Sequence, residues 1–354
     1  MQEGFESAMA GVVRVECGSR LHFGFTNLSK ELGRCYGSIG VGLDEPRVVL
    51  EISRASDLSV EAESPEQILQ YLERFRRRFG LETRVHVREV CKIPEHSGLG
   101  SGTRVAMALG MGLSRLYRLS IDLPELARAM GRGRRSSVGI LTFTAGGFVV
   151  DAGHRQGAEA SRGPTVVFHR PFPEDWRFVV CIPTPEEGLS GGAEEKVFRA
   201  LYPPVSVTER ICCIVQLELL PSLVEEDIRG FGHALTEIDR RTGSFFEAAQ
   251  GGVTAQTVGE QIIECMLDAG AFGGGQSSWG PAVYGLVRSD GEAVVERAVR
   301  KFLEERGLEG TVFVARGRNW GATAGVEKAA TGPSDDQSAP GLPQHGLSRG
   351  LPWQ

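Results

Sequence analysis

Residues 93–103 read IPEHSGLGSGT, and residues 105–117, VAMALGMGLSRLY, follow as a small, apolar run with helical spacing. Just upstream, residues 82–92 (ETRVHVREVCK) alternate apolar and polar side chains as a strand does. The order is strand, glycine-rich loop, helix. Glycine at 98, 100 and 102 lets the backbone take conformations closed to other residues and approach a ligand closely. The helix behind the loop presents unbonded N–H groups and the positive end of its dipole, which favours an anion. Ser101 and Thr103 add hydroxyls that suit phosphate oxygens or a metal ion. Gly98, Leu99, Gly100, Ser101, Gly102 and Thr103 are therefore candidate phosphate ligands. The alternative is a glycine-rich helix cap, but three alternating glycines are a costly way to start a helix. The chain has no Gly-Lys pair, which excludes a Walker A loop, and the glycine spacing does not fit a dinucleotide fingerprint.

Around this centre the chain alternates strands and helices. Residues 12–28 and 47–52 read as strands, and the glycine-dense segment 33–42 between them as a turn or ligand loop. Residues 64–80 begin with Ser, carry Pro at the first helical position and end at Gly, the signature of an amphipathic helix. A short helix is expected over 123–130, a strand pair over 139–151 around Gly146-Gly147, and a strand over 176–183 leading into a loop at 184–193. Residues 207–250 are predominantly helical in pattern. A helix at 257–268, a strand at 283–287, a helix at 291–306 and a strand at 311–315 then describe a small α+β second domain. The expected division is a loose leader (1–11), a first domain (12–170), a second domain (171–328) and a disordered Pro/Gly/Ser-rich tail (329–354).

With 354 residues, 24% charged and 41% hydrophobic, the composition is that of an ordinary globular protein large enough for two domains. A net charge of -6 and the lack of a basic tract argue against a nucleic-acid binder. No apolar stretch reaches the roughly 18 residues needed to cross a bilayer, and the first eleven residues lack a signal peptide's basic and apolar regions. Neither membrane nor nucleic acid is expected as a partner. The seven cysteines form no CxxC pair, so buried thiols in a reducing cytoplasm are expected.

Four further clusters carry candidate chemistry. Arg20 and His22 fall on one face of the first strand. Arg132, Arg134 and Arg135 lie in the turn GRGRRSS, where interleaved glycine and serine suit an anion clamp, although an arginine-rich turn is more often a solvated face. Gln276, Ser277, Ser278 and Trp279, flanked by glycines, suggest a ligand wall or else a tight turn. Ser190, in the loop GLSGGAEE, is a weaker candidate. The histidines at 86, 154, 169 and 233 lack metal-ligand company in the sequence.

Taken together, IPEHSGLGSGT and the small-residue helix behind it resemble the phosphate loop of the GHMP kinase superfamily, with Ser101-Gly102-Thr103 where a kinase has Ser-Ser-Ala. The motifs SRLHFGFTNL, ELGRCYGSIGVGLDEP, GRGRRSSVGI, GLSGGAEE, GQSSWGPAVYG and ARGRNWGATAG are similar to one branch, the β-ribofuranosylaminobenzene 5′-phosphate synthases of methanopterin biosynthesis. The likeness spans residues 12–325. It implies a two-domain α+β fold, a ribosomal-protein-S5-domain-2-like N-terminal half and a ferredoxin-like C-terminal half, with the ligand between them. It implies a cytoplasmic, Mg²⁺-dependent homodimer. The implied reaction condenses phosphoribosyl pyrophosphate with 4-aminobenzoate or 4-hydroxybenzoate, releasing CO2 and pyrophosphate. On that likeness, residues 98 and 100–103 would take the pyrophosphate or the 5′-phosphate. Arg20 would serve the other phosphate or the carboxylate, with His22 beside it and Arg132, Arg134 and Arg135 in reserve. Gln276, Ser277, Ser278 and Trp279 would line the aryl-acid site, and Ser101 with Glu95 or Asp44 would help hold Mg²⁺. An ATP-dependent small-molecule kinase and a non-catalytic ligand-binding relative are the alternatives.

Overall fold

The computed structural model describes residues 11–29, 31–155, 164–184, 204–249 and 257–328. The expected tail, Ser190, and all of the expected leader except Gly11 lie outside these residues. Strand β1 (Gly11–Asn27), the short β2 (Arg34–Cys35) and β3 (Gly37–Arg54) come first. The glycine-dense segment is thus not a loop from residue 37 onward but the start of β3, paired with β1 from Ser38↔Phe25 to Gly42↔Arg20. β4 (Ser59–Glu61), helix α1 (Pro65–Phe79) and β5 (Val85–Cys91) follow. Helix α1 starts on Pro65 and ends on a left-handed Gly80, whose N–H returns to the Arg76 carbonyl; Ser64 makes no side-chain cap. It buries Ile68, Tyr71, Leu72 and Phe75 on one stripe.

Next come α2 (Ser101–Leu116), α3 (Leu123–Ala129) and α4 (Val138–Thr144), then β6 (Phe148–Asp151), β7 (His154–Arg155) and β8 (Val166–Arg170). Here the expected strand pair over 139–151 is half wrong: residues 138–144 are a helix and only 148–151 a strand. Ile140, Leu141, Thr142 and Phe143 are all buried, and a short, fully buried apolar run carries no periodicity to tell helix from strand. The second half is β9 (Trp176–Thr184), α5 (Val205–Ile214), a π-helical turn at 215–219, α6 (Leu220–Val224), α7 (Ile228–Ala249) and α8 (Val258–Asp268). It closes with β10 (Gly273–Gln276), β11 (Val283–Arg288), α9 (Glu292–Glu305), β12 (Glu309–Arg316) and β13 (Thr323–Lys328). Thr257 caps α8 through a reciprocal bond pair with Glu260.

One sheet runs β13-β1-β3-β5-β4, with β6 pairing the free part of β3 and β8 pairing β6. The other is antiparallel with order β10-β11-β9-β12, the strand order of a ferredoxin-like unit. The chain's last strand does not stay with the second half: β13 pairs with β1 in the first sheet. The two sheets share one aromatic core. Phe23 of β1 lies 5.2 Å from Tyr284 and 5.8 Å from Phe178 of the second sheet, and Phe148 of the first sheet lies 5.7 Å from Phe231 of α7. All seven cysteines are free; Cys17, Cys35 and Cys181 are buried, but Cys212 and Cys213 are exposed rather than buried, because the helix stripe turns Ile211 and Ile214 inward instead.

Candidate active site

The loop before α2 is shaped by its glycines. Gly98 and Gly100 have φ of 84° and 86°, a region in which a side chain is strained, and Gly100 caps α2. At Gly98 a Cβ would meet the Ser277 carbonyl at 2.3 Å. Among the described residues, no backbone carbonyl takes the N–H groups of Leu99, Gly100, Ser101 or Gly102. They form the donor-rich helix mouth the sequence led us to expect.

Arg20 lies directly beside this loop. Its backbone N–H bonds the Leu99 carbonyl at 3.1 Å, its Nη1 donates to the Gly98 carbonyl, and its side chain runs against Gly100. A second arginine, Arg132, packs over the Tyr71 ring at 4.9 Å, with its guanidinium against Gly102. Arg134 is exposed on the wall of a cavity of about 120 Å³ that Arg132 also lines. Arg135 turns its carbonyl to His154 Nε2 at 2.8 Å. Of the three reserve arginines, Arg132 is the one whose guanidinium lies against the loop glycine.

The segment 276–282 bridges the two halves. Ser277 Oγ donates to the Gly98 carbonyl at 2.8 Å and accepts the His22 N–H at 3.1 Å. The Ala282 N–H reaches the Ser97 carbonyl and the Ser278 N–H the His22 carbonyl. Ser277 is fully buried and staples the second half to the loop and to β1. Gln276, Ser278 and Trp279 line a cavity. That cavity, about 150 Å³, is also walled by His22, Phe23, Phe25, Ile263, Asp239, Thr242, Thr257 and Glu260. A cavity of this volume accommodates a benzene-sized ring.

His22 is 3% exposed, and burial together with the nearby Arg20 guanidinium pushes its pKa down to about 3. The ring is thus neutral across the working pH range. Its Nδ1 accepts the Gly24 N–H at 3.2 Å, so the proton resides on Nε2, a buried donor with no partner among the described residues. Across the cavity Asp239 takes the Gln276 N–H at 2.9 Å, and burial lifts its carboxyl from 3.8 to about 7. It is half-buried and lines that cavity.

Asp239 and Thr242 were not singled out in the sequence. A signal existed: Phe231, Leu235 and Ile238 form the inward stripe of α7, and Asp239 and Thr242 sit at i+1 and i+4 from Ile238, on its flank. Arg104 was also missed. It is 1% exposed beneath the loop and donates to the Gly139 and Ser19 carbonyls and to Thr142 Oγ1 at 2.6, 3.0 and 2.8 Å.

The expected magnesium ligands do not assemble. Asp44 is occupied by the N–H and Nε of Arg316, both at 2.8 Å, and Glu95 is exposed with Glu89 as its electrostatic neighbour. Among the described residues no three His, Cys, Asp or Glu side chains converge as a metal cage would require. The described residues thus offer no cage of three such side chains for Mg²⁺.

Comparison with known proteins agrees with this architecture. The GHMP kinases N terminal domain family matches residues 66–147, and the GHMP kinases C terminal family matches residues 219–305. Among solved structures, the galactokinase of Lactococcus lactis aligns with a TM-score of 0.66 at 14% identity, over 91% of this chain and 98% of that one. The homoserine kinase of Cytophaga hutchinsonii aligns at 0.62 and 16%, over 88% and 97%. At such identities the likeness concerns fold alone. Two curated relatives are much nearer in sequence, both named beta-ribofuranosylphenol 5'-phosphate synthase. That of Methanothermobacter thermautotrophicus is 32% identical over 86% of this chain and 96% of its own length. That of Archaeoglobus fulgidus is 30% identical over 88% and 98%. Matched by both GHMP kinase domain models and alike in sequence to these two relatives along almost their full length, the chain belongs to the β-ribofuranosylphenol 5′-phosphate synthase family.

Proposed function

We propose that this protein joins the ribose carbon of phosphoribosyl pyrophosphate to the carboxyl-bearing carbon of 4-hydroxybenzoate, or of its 4-amino counterpart, with loss of CO2 and pyrophosphate. The reading is supported above all by the juxtaposition of a donor-rich helix mouth with a ring-sized cavity, stapled together through Ser277. As the diphosphate departs, negative charge grows on it and ribose C1 becomes cation-like. N–H groups fixed in advance at residues 99–102, backed by the Arg20 guanidinium, oppose that charge without rearranging. Arg132, against Gly102, is the reserve ligand for the second phosphate.

The arene would lie in the cavity with the Trp279 indole and Phe25 as its apolar walls. His22, as a neutral Nε2–H donor, would hold its carboxylate until the new carbon–carbon bond forms. Carbon dioxide then leaves from the same ring carbon and aromaticity returns, so no ring proton has to be removed. The relatives' name describes a phenol product, and on that ground 4-hydroxybenzoate is the first substrate to test. Magnesium enters this reading only as the counter-ion of the diphosphate, its usual place beside substrate phosphates. A homodimer in the cytoplasm, serving methanopterin biosynthesis, completes the proposal. Seven free thiols suit a reducing compartment, no described helix is long and apolar enough to cross a membrane, and light scattering at twice the chain mass would check the dimer.

Carboxyl-labelled 4-hydroxybenzoate and phosphoribosyl pyrophosphate provide the direct assay. Labelled CO2 released together with pyrophosphate is expected. Its absence, with ADP formed instead from ATP and an alcohol, would return the protein to the kinases.

A further inference from the structure

We propose that Asp239 is a catalytic base for the arene, taking the proton of the para hydroxyl as the ring attacks ribose and thereby setting the preference for a phenolic substrate. This rests on the reading that the cavity holds the aryl acid. The cavity wall is mixed, with Phe23, Phe25, Ile263 and Trp279 beside polar side chains, and we place its two ends at His22 and Asp239. One end is His22, beside Ser277 and the phosphate loop. The other is Asp239, set against Gly275 of β10, two positions before Ser277. A para-disubstituted ring lying between these ends presents its carboxylate side to the loop and its para oxygen to the carboxyl of Asp239.

The placement of Asp239 is built rather than incidental. A Cβ on residue 275 would lie 2.7 Å from Asp239 Cγ, so a glycine is required for the carboxyl to reach the strand. The Gln276 N–H fixes Oδ1. Thr242, one turn on and 8% exposed, carries a hydroxyl with no partner among the described residues on the same wall. The charged and titratable groups around the carboxyl are Glu260 from α8, Tyr284 from β11, Arg240 on its own helix and His22 across the cavity. The buried setting and the Glu260 charge raise its proton affinity to about that of a group poised near neutrality.

The step balances. The ring carbon forms its bond to ribose C1, the C1–oxygen bond breaks with its electron pair going to diphosphate, and the phenolic proton passes to Asp239. In the resulting dienone the carboxylate carbon–carbon bond then breaks. Its electrons restore the ring, CO2 departs, and the para oxygen recovers the proton from Asp239.

The test compares D239N with wild type by labelled-CO2 release across pH 5.5–9.5, using 4-hydroxybenzoate and 4-aminobenzoate. The amide is isosteric and still accepts the Gln276 N–H, and an unchanged melting temperature will verify the fold. With 4-hydroxybenzoate at pH 7, kcat is expected to fall about 100-fold or more while KM changes little. The variant's rate should climb about tenfold per pH unit toward the phenol's own ionisation, whereas wild type levels off above neutrality. With 4-aminobenzoate, which has no acidic proton to surrender, the loss should be far smaller. A variant with wild-type kcat, or one equally impaired on both substrates without a pH rise, overturns the assignment of Asp239 while the wild-type CO2 release leaves the overall reaction standing. No CO2 from wild type overturns both.

Discussion

Two opposing forces act on the carboxyl of Asp151. It is fully enclosed, which disfavours its charge, yet Ser38 Oγ and the N–H groups of Ser137 and Gly153 all donate to it, which favours the charge. Burial prevails and lifts the pKa from 3.8 to about 6. Between those values the folded state binds more protons than the unfolded chain, so this group's contribution to stability declines as pH rises from about 4 to 6 and is constant above. The span amounts to about 3 kcal/mol at most. Asp151→Asn, which never acquires the charge, should therefore gain relative to wild type over that window, as read from urea midpoints at pH 4 and 7; a constant difference would show that the charge is not resisted. The guanidinium of Arg20 makes a complementary case at the reaction centre. If it opposes charge on the departing diphosphate, Arg20→Ala should lower kcat by about 10²–10³-fold, and an unchanged kcat would remove it from the site.

The loop at 93–100 shows what an element demands of its residues. Gly98→Ala would place a Cβ at 2.3 Å from the Ser277 carbonyl while holding a strained φ, so the loop and the segment 276–282 could not both keep their positions. A loss of about 3 kcal/mol and a sharply raised KM for phosphoribosyl pyrophosphate are expected from melting and initial-rate measurements. This loop and the helix behind it were legible in the sequence because glycine spacing, a preceding alternating strand and small apolar residues speak to one local geometry. Helix α1, with Pro65 and Gly80 as its ends, was legible for the same reason. The partners of the loop were not. Ser277 lies 179 positions from Gly98, and nothing in GQSSWG distinguishes the serine that staples two halves from those that face a cavity. Arg104 was hidden by its type: an arginine in an apolar helix reads as an exposed residue, whereas here three neutral acceptors enclose it. The π-helical turn at 215–219 falls in a run whose helical pattern does not mark it.

At the scale of the whole molecule, the site exists only while the two halves stay joined, and that junction is an aromatic core rather than a hinge. Phe23 packs on Phe148 of its own sheet and on Phe178 and Tyr284 of the other, and its ring is 1% exposed. The return of β13 to β1 ties the chain's last described strand to its first, so neither half can unfold without stripping a strand or a ring from its partner. Phe23→Ala should then act on both halves at once. A cost of about 3–5 kcal/mol is expected for the cavity it leaves. Trp176, buried in the second half against Phe172 and Phe231, provides a local probe once the other three tryptophans are replaced by phenylalanine, and backbone circular dichroism a global one. If the core couples the halves, fluorescence and dichroism will report one coincident transition in both wild type and variant, displaced together to lower denaturant. Two separated transitions in the wild type would mean that the halves fold as independent units, and that the arrangement of loop and cavity is held by the polar contacts of residues 277–282.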